Sequence, residues 1–195
     1  EIPDHLVEWI LKQEIFWVAS APLSEEGHVN ISPKGVQGTF RVTDSSRVWY
    51  EDLSGSGAET ISHIRENGRV TVPFNAFEGP PRIVRLYGRG TIYEFGSPEY
   101  DNLLPAGVRQ PGSRAAIVID IFKVGTVSTL TCGYSVPFYS FVGHRNQLLD
   151  WAARKEGNDR KNNDASEQGM KRWWADRNTS SMDGLPALRS AHKST

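Results

Sequence analysis

The sequence predicts a mainly β protein in which six or seven short strands form an antiparallel barrel with flanking helices. Short runs rich in β-branched and aromatic residues follow one another with few helical patterns between them, which favours an antiparallel barrel over a parallel α/β sheet. The long alternating run 82–94 also carries Gly88 and Gly90 on its inner face. Glycines at such positions permit the bends and close backbone approaches that a barrel requires.

The predicted elements begin with a helix over 4–14, because Leu6, Trp9 and Ile10 recur at helical spacing after Pro3. Runs of strand-forming residues follow, separated by glycine, proline and polar turns. Strands are expected at 15–21, 28–32, 38–42, 47–51, 70–75, 82–94 and 115–123. Pro73 predicts an edge position or a bulge for its strand, because proline cannot donate to a β-ladder.

A short helix is predicted to begin at Ser56 and to stop at Gly68. Ser56 and Glu59 have the spacing of a capping box, and glycine is preferred just past a helix end. The preceding Gly/Ser loop would present free backbone N–H groups and the positive end of the helix dipole, which suits a phosphate. An ordinary, well-capped helix is the competing interpretation of the same residues.

The last quarter of the chain has a helical texture. A helix is expected over 144–155, and a further helical turn begins at Met170. We therefore expect one domain, with a barrel at 1–143, a helical arm at 144–195 and a polar tail from about 189. The arm carries too many aromatic residues for a disordered tail, so it is expected to dock on its own barrel or on that of a second subunit.

Composition excludes several classes of protein. The 195 residues include 22 Lys and Arg and 23 Asp and Glu, so the net charge of −1 does not suit a nucleic-acid or membrane-surface binder. The single cysteine, Cys132, excludes a disulfide framework, and the five histidines lack metal-ligand spacing, so no metal site is expected. No apolar run approaches the roughly 20 residues of a membrane helix. We expect a soluble, cytoplasmic protein.

No acid–base pair or nucleophile motif stands out in the sequence, which favours a reaction carried by a cofactor. Lys34 follows a predicted strand in the segment Ser-Pro-Lys-Gly. It could neutralise a phosphate or lie at the polar edge of a ring, and a solvated turn lysine is the alternative. Arg85 and Arg89 share one face of a strand and could hold an anion, although paired surface arginines are common.

Five stretches together resemble the pyridoxamine 5′-phosphate oxidase-like proteins, the FMN-binding split barrels. They are 16–35, 48–72, 77–90, 132–137 and 181–188, which begin FWVASAP, VWYEDLSGSG, FEGPPRI, CGYSVP and SMDGLPAL. They occur in the family's order over nearly the whole chain. The similarity is greatest to a branch described as predicted flavin-nucleotide-binding proteins. It implies a split β-barrel of the FMN-binding type that forms a homodimer, with two flavin sites at the interface.

The resemblance also implies which residues contact the FMN cofactor, with C-terminal residues of the partner closing the pocket. The implied residues are Asn30, Ser32, Pro33, Lys34, Gly35, Tyr50, Glu51, Asp52, Ser54, Ser56, Gly57, Thr60 and Arg85. Thr60 stands near the position where true pyridoxamine phosphate oxidases carry a phosphate-binding lysine. Arg189 and His192 do not convincingly match the arginine–histidine pair that grips the pyridoxal substrate in those enzymes.

The resemblance therefore implies an FMN-dependent oxidoreductase that acts on an unidentified small molecule and is not a vitamin B6 oxidase. Hydride would pass between a substrate carbon and flavin N5, and Lys34 is the first candidate for the cation at the N1–C2 edge. A non-catalytic flavin carrier or a deazaflavin-binding barrel is the alternative. Haem is disfavoured because no histidine is clearly placed as an axial ligand.

Overall fold

The computed structural model describes residues 1–126, 133–163 and 166–193. Seven strands form one antiparallel sheet in the spatial order β2-β1-β5-β6-β7-β4-β3, which confirms the mainly β prediction. The strands are β1 (Phe16–Ser20), β2 (Asn30–Lys34), β3 (Phe40–Asp44), β4 (Arg47–Leu53), β5 (Arg69–Asn75), β6 (Ile83–Glu94) and β7 (Ser113–Gly125).

The sheet curls until its two ends meet. β3 is one edge strand, and β1 lies next to the other edge. The ring centroids of Phe16 on β1 and Phe40 on β3 are nevertheless 5.0 Å apart. Phe74 and Tyr50 pack against Phe16 from β5 and β4. This aromatic cluster fills one end of the barrel, and buried aliphatic side chains of β6 and β7 fill the remainder.

In the described residues, five α-helices flank the sheet. They are α1 (Asp4–Leu11), α2 (Glu59–Asn67), α3 (Pro98–Leu103), α4 (Gln147–Lys161) and α5 (Met170–Arg177), and a 3₁₀ turn follows at Ser190–Lys193. α3 was not predicted from the sequence, although its start has a local signal: Ser97 Oγ accepts a hydrogen bond from the Tyr100 N–H, and Pro98 occupies the first turn. In the described part of the chain, no helix is long and apolar enough to span a bilayer.

Pro73 lies in a more central strand than its sequence predicts. β5 is an interior strand of the sheet, and its ladder with β6 continues through Pro73 without a bulge. The ladder between β5 and β1 consists of the single pair Ala19–Thr71. Proline is therefore tolerated because β5 has few ladder partners on its β1 side, rather than because it is an edge strand.

The arm packs on the barrel of its own chain. The Trp174 indole donates to Ser54 Oγ at 2.6 Å, and the Trp173 indole donates to the Gly55 carbonyl at 3.1 Å. Leu188, at the end of the arm, is fully buried in the same core as the barrel side chains. The arm thus covers the loop between β4 and α2, which is the loop that the sequence suggests for phosphate binding.

Gly88 allows β6 and β7 to approach each other closely, as predicted from the sequence. A Cβ atom on Gly88 would lie 2.3 Å from Ile119 Cγ2 and 2.7 Å from the Asp120 carbonyl oxygen. The β6–β7 ladder shifts register between Tyr87 and Gly88, which marks a bulge at this point. A side chain here would therefore push two central strands apart.

We predict that Gly88→Ala lowers the free energy of unfolding by about 1–3 kcal/mol, the usual cost of overpacking. Gly157→Ala is the matched control, because Gly157 lies inside α4 with no atom within 4 Å of an added Cβ. The control should stabilise the protein by about 0.5–1 kcal/mol, since alanine is the better helix former. Urea unfolding measures both changes, and equal effects of the two substitutions would contradict the role assigned to Gly88.

Candidate functional site

A buried carboxylate lies between two cations near one end of the barrel. Asp52 on β4 is fully buried, and Lys34 Nζ at the end of β2 lies 3.0 Å from its Oδ1. Arg114 Nε at the start of β7 lies 2.8 Å from its Oδ2. Burial by itself would raise the pKa of Asp52, but the charges and hydrogen bonds of Arg114 and Lys34 outweigh it and lower that pKa. This ion cluster thus carries two positive charges and one negative charge.

Arg114 connects the ion cluster to the loop before α2. Its Nη1 donates to the Gly57 carbonyl at 2.8 Å, while its Nε holds Asp52. Arg114 was not predicted as a site residue, although a charged residue directly before the largely apolar run AAIVID was a usable signal. The same loop is held from the other side by the arm, so both its ends are fixed.

Polar side chains gather at the opposite end of β2, beside the first turn of α2. Asn30 Nδ2 donates to Thr60 Oγ1 at 3.0 Å, and Ser32 Oγ donates to Asn30 Oδ1 at 3.3 Å. α2 begins at Glu59, with Ala58 as its N-cap and no capping side chain among the described residues. Three of the predicted site residues therefore meet at a helix end whose N–H groups are not capped by a side chain.

The predicted capping box is wrong. Ser56 is exposed and lies two residues before the N-cap. Glu59 Oε1 instead accepts a hydrogen bond from the Met182 backbone N–H at 3.0 Å, which comes from the arm. The arm supplies a partner that a local sequence pattern does not contain. The predicted stop at Gly68 is confirmed, since Gly68 has a left-handed φ of 71°.

The predicted residues on β4 point to different faces of the sheet. Tyr50 and Asp52 belong to the barrel interior, and Lys34 Nζ lies 5.9 Å from the Tyr50 ring centroid. Glu51 alternates to the opposite face, where its carboxylate accepts from the Gln110 N–H at 2.7 Å and burial raises its pKa. Tyr50 Oη has no hydrogen-bond partner in the described part of the chain, and burial raises the pKa of this phenol well above its usual value.

The remaining predicted residues, which are Pro33, Gly35, Ser54 and Arg85, have different settings. Pro33 is exposed on β2, and Gly35 follows β2 at the rim of a cavity described below. The Ser54 hydroxyl donates to the Gly112 carbonyl and accepts from the Trp174 indole, each at 2.6 Å, so it serves the packing of the arm. Arg85 lies on β6 opposite Pro73 in the ladder.

No group of three or more His, Cys, Asp or Glu side chains within the described ranges could hold a metal ion. Cys132 lies outside those ranges. Two polar groups lie near β2: the ion cluster of Lys34, Asp52 and Arg114, and the hydrogen-bonded set of Asn30, Ser32 and Thr60.

We predict that Arg114→Met lowers the free energy of unfolding by about 3–5 kcal/mol, because it leaves the buried Asp52 charge with one cation. Arg47→Met removes a pair of similar geometry, 2.6 Å from Asp120, in which both side chains are about half exposed. That control should cost far less than Arg114→Met does, since water screens exposed ion pairs. Chemical denaturation compares the two variants, and similar losses would contradict the structural importance of the cluster.

Comparisons with known proteins agree with this architecture. The family model described as pyridoxamine 5′-phosphate oxidase matches residues 2–128. The pyridoxamine 5′-phosphate oxidase family protein ustO of Aspergillus flavus is 38% identical over 210 aligned residues, which cover 97% of this chain and 77% of that protein.

Two crystal structures of HupZ from Group A Streptococcus superpose with a TM-score of 0.53 each. One is 18% identical and covers 71% of this chain and 100% of HupZ; the other is 22% identical and covers 65% and 99%. At these identities the likeness concerns the fold alone, which is the split β-barrel expected from the sequence. The family match and the identity to the Aspergillus relative are decisive: the chain belongs to the pyridoxamine 5′-phosphate oxidase family.

Proposed function

We propose that the protein binds FMN and acts as an FMN-dependent oxidoreductase on a small molecule. The observation that carries this proposal is the arrangement of two complementary sites at the two ends of β2. Asn30 and Thr60 lie at one end beside the start of α2, and Lys34 with Asp52 lies at the other. Four residue steps of extended strand separate them by on the order of 13 Å. A phosphate at the first end and a flavin ring at the second would match this spacing.

The residues at the first end fit a phosphate held by hydrogen bonds. The Thr60 hydroxyl, the Asn30 amide and the uncapped N–H groups of α2 are donors that a phosphate accepts. The lysine that the family places near Thr60 is missing, and Lys34 is already paired with Asp52 at 3.0 Å. Phosphate affinity should therefore come from hydrogen bonds and the helix dipole more than from charge pairing.

The ion cluster provides the electrostatic part of the proposed mechanism. FMN, when bound, supplies the capacity to accept or donate a hydride. Lys34 places a positive charge at the ring end of β2, and Asp52 and Arg114 keep its ammonium group in position. Such a preorganised cation favours the state with more negative charge on the ring. The neutral Tyr50 phenol beside it adds no competing charge.

Arg189 and His192 are the residues to compare with the arginine–histidine pair that grips the pyridoxal substrate in the family's best-known enzymes. The Arg189 N–H donates to Glu94 Oε1 at 2.8 Å, and the neighbouring Ser190 N–H donates to Glu94 Oε2 at 2.6 Å. The backbone at Arg189 is thus anchored to the end of β6. The side chain of His192 lies outside the described part of the chain. These backbone contacts leave the Arg189 side chain exposed, so the expectation that the substrate is not a vitamin B6 compound rests on the sequence resemblance.

We also propose a homodimer with the cofactor at the subunit interface. β2 is an edge strand, and the side chains that alternate with Asn30 and Ser32 are apolar. Val29 is 72% exposed and Ile31 is 62% exposed. Soluble proteins usually protect apolar strand edges. A second copy of the chain would cover this edge and place its own residues beside the proposed phosphate site.

We predict that the protein elutes with twice the 21.8 kDa mass of one chain when measured by light scattering. Ile31→Lys should give monomers and weaken FMN binding, because like charges on the two edges would repel. Val108→Lys is the control, since Val108 is similarly exposed at 55% but lies in the loop after α3. A monomeric wild-type protein would overturn the dimer.

We predict that Thr60→Val weakens FMN binding about 5- to 20-fold, since one hydrogen bond to a charged group contributes about 1–2 kcal/mol. Riboflavin, which lacks the phosphate, should bind both proteins equally. Thr43→Val repeats the substitution at an exposed position on β3 and should leave both affinities unchanged. Titration of the flavin-free protein, followed by flavin absorbance, gives these values. An absence of flavin binding would overturn the proposed function.

A non-catalytic flavin carrier is the second candidate function. Lys34 is paired with Asp52, and Glu51 lies on the opposite face of the sheet, where it accepts from the Gln110 N–H. Neither side chain is therefore an unengaged group for acid–base chemistry at the ring end, which favours a carrier. Bound flavin that NAD(P)H and partner reductases fail to reduce would identify a carrier. Preferential binding of a deazaflavin in the same titration would identify the remaining alternative.

A further inference from the structure

A cavity of about 340 Å³ opens beside the Lys34 end of β2. It lies between the end of α1, the start of β1 and the loop 35–38 that follows β2. We refer to it as the β2-end cavity. Its volume falls in the lower part of the range for small-molecule sites. None of Asn30, Ser32 and Thr60 lines it, so it is distinct from the proposed phosphate site.

The cavity has an aromatic floor. Phe16, Phe40 and Phe74 line it, with Phe40 at 5.0 Å from Phe16 and 5.2 Å from Phe74 between ring centroids. Phe16 and Phe74 are largely buried, so their ring positions are fixed by the core. A planar or aliphatic group entering the cavity would therefore meet a rigid apolar surface.

The charged groups around the cavity favour an anion. Lys34 and Lys12 are the lining cations, and Glu14 is the lining anion. Glu14 Oε2 lies 3.5 Å from His144 Nε2, so its charge is turned toward a partner. Lys34 is paired with Asp52, but Arg114 shares the same carboxylate, and the cluster keeps one excess positive charge. A negative group near Lys34 would complete the charge balance.

We propose that the β2-end cavity binds the substrate, a small monoanion whose apolar, planar body packs on Phe16 and Phe40 and whose carboxylate faces Lys34. This inference rests on the proposed function, because Lys34 lies at the end of β2 assigned to the flavin ring. A substrate in the cavity would be next to that ring. The family assignment by itself specifies neither the charge nor the apolar character of this ligand.

The test compares 2-naphthoate with its neutral isostere 2-naphthamide, using calorimetry on the flavin-free, full-length protein. We expect naphthoate to bind at least 10-fold more tightly, because only the carboxylate carries a negative charge that pairs with Lys34. This comparison needs no variant and so does not depend on the folding of one. Equal affinities, or no binding of naphthoate, would overturn the inference.

Variants assign the preference to Lys34. Lys34→Met should remove the preference for naphthoate, and Lys34→Arg should retain it. Lys123→Met removes the same charge from an exposed position on β7 outside the cavity and should leave the preference intact. A preference that survives Lys34→Met in folded protein would overturn the assignment.

A parallel FMN titration separates this inference from the proposed function. Binding of FMN without any preference for naphthoate would overturn the cavity inference alone. If the protein shows a Lys34-dependent preference for naphthoate but does not bind FMN, the proposed flavin function is overturned, and the substrate role with it. The cavity would then still be supported as a site for apolar monoanions. Simultaneous binding of FMN and naphthoate supports the two together, whereas competition between them for Lys34 would overturn the substrate role.

Discussion

The buried Asp52 carboxylate is the constraint on which the proposed site depends. An uncompensated buried charge costs several kcal/mol, so the fold must bring cations to it. Lys34 arrives from β2 and Arg114 from β7, and both contact Asp52 within 3.0 Å. Arg114 also holds the Gly57 carbonyl. One carboxylate therefore fixes the relative positions of three strand ends and of the loop that leads into α2.

The arm completes this arrangement from outside the barrel. The family model ends at residue 128, yet the loop between β4 and α2 is held by the indoles of Trp173 and Trp174. The Met182 backbone N–H donates to the Glu59 carboxylate, which holds this acidic side chain of the first turn of α2 toward the arm. This hydrogen bond orients the carboxylate without neutralising it, so an anion bound at that helix end relies on the N–H groups of α2 and on Thr60. The arm influences the proposed phosphate site without contributing a cation to it.

Local patterns were sufficient for most of the secondary structure. Alternation placed the seven strands to within a few residues, and the glycines of β6 correctly indicated a close approach of two strands. α4 continues to Lys161, beyond its expected end at 155, because Glu156 and Asp159 are bound by Arg109 and by the first N–H groups of α5. The capping box failed for a similar reason: Glu59 has a distant partner.

Local patterns and motifs of the sequence were sufficient to predict the fold class and the family, because periodicity and motifs are local properties of the chain, and the resemblance suggested the residues at the two ends of β2. Tertiary structure decided which of those residues act together. Arg114 and Asp52 are 62 residues apart in sequence, and only strand pairing brings them into contact. Glu51, adjacent to Asp52, faces the other side of the sheet because successive side chains of a strand alternate. Contacts of this kind depend on register and packing, which no local pattern encodes.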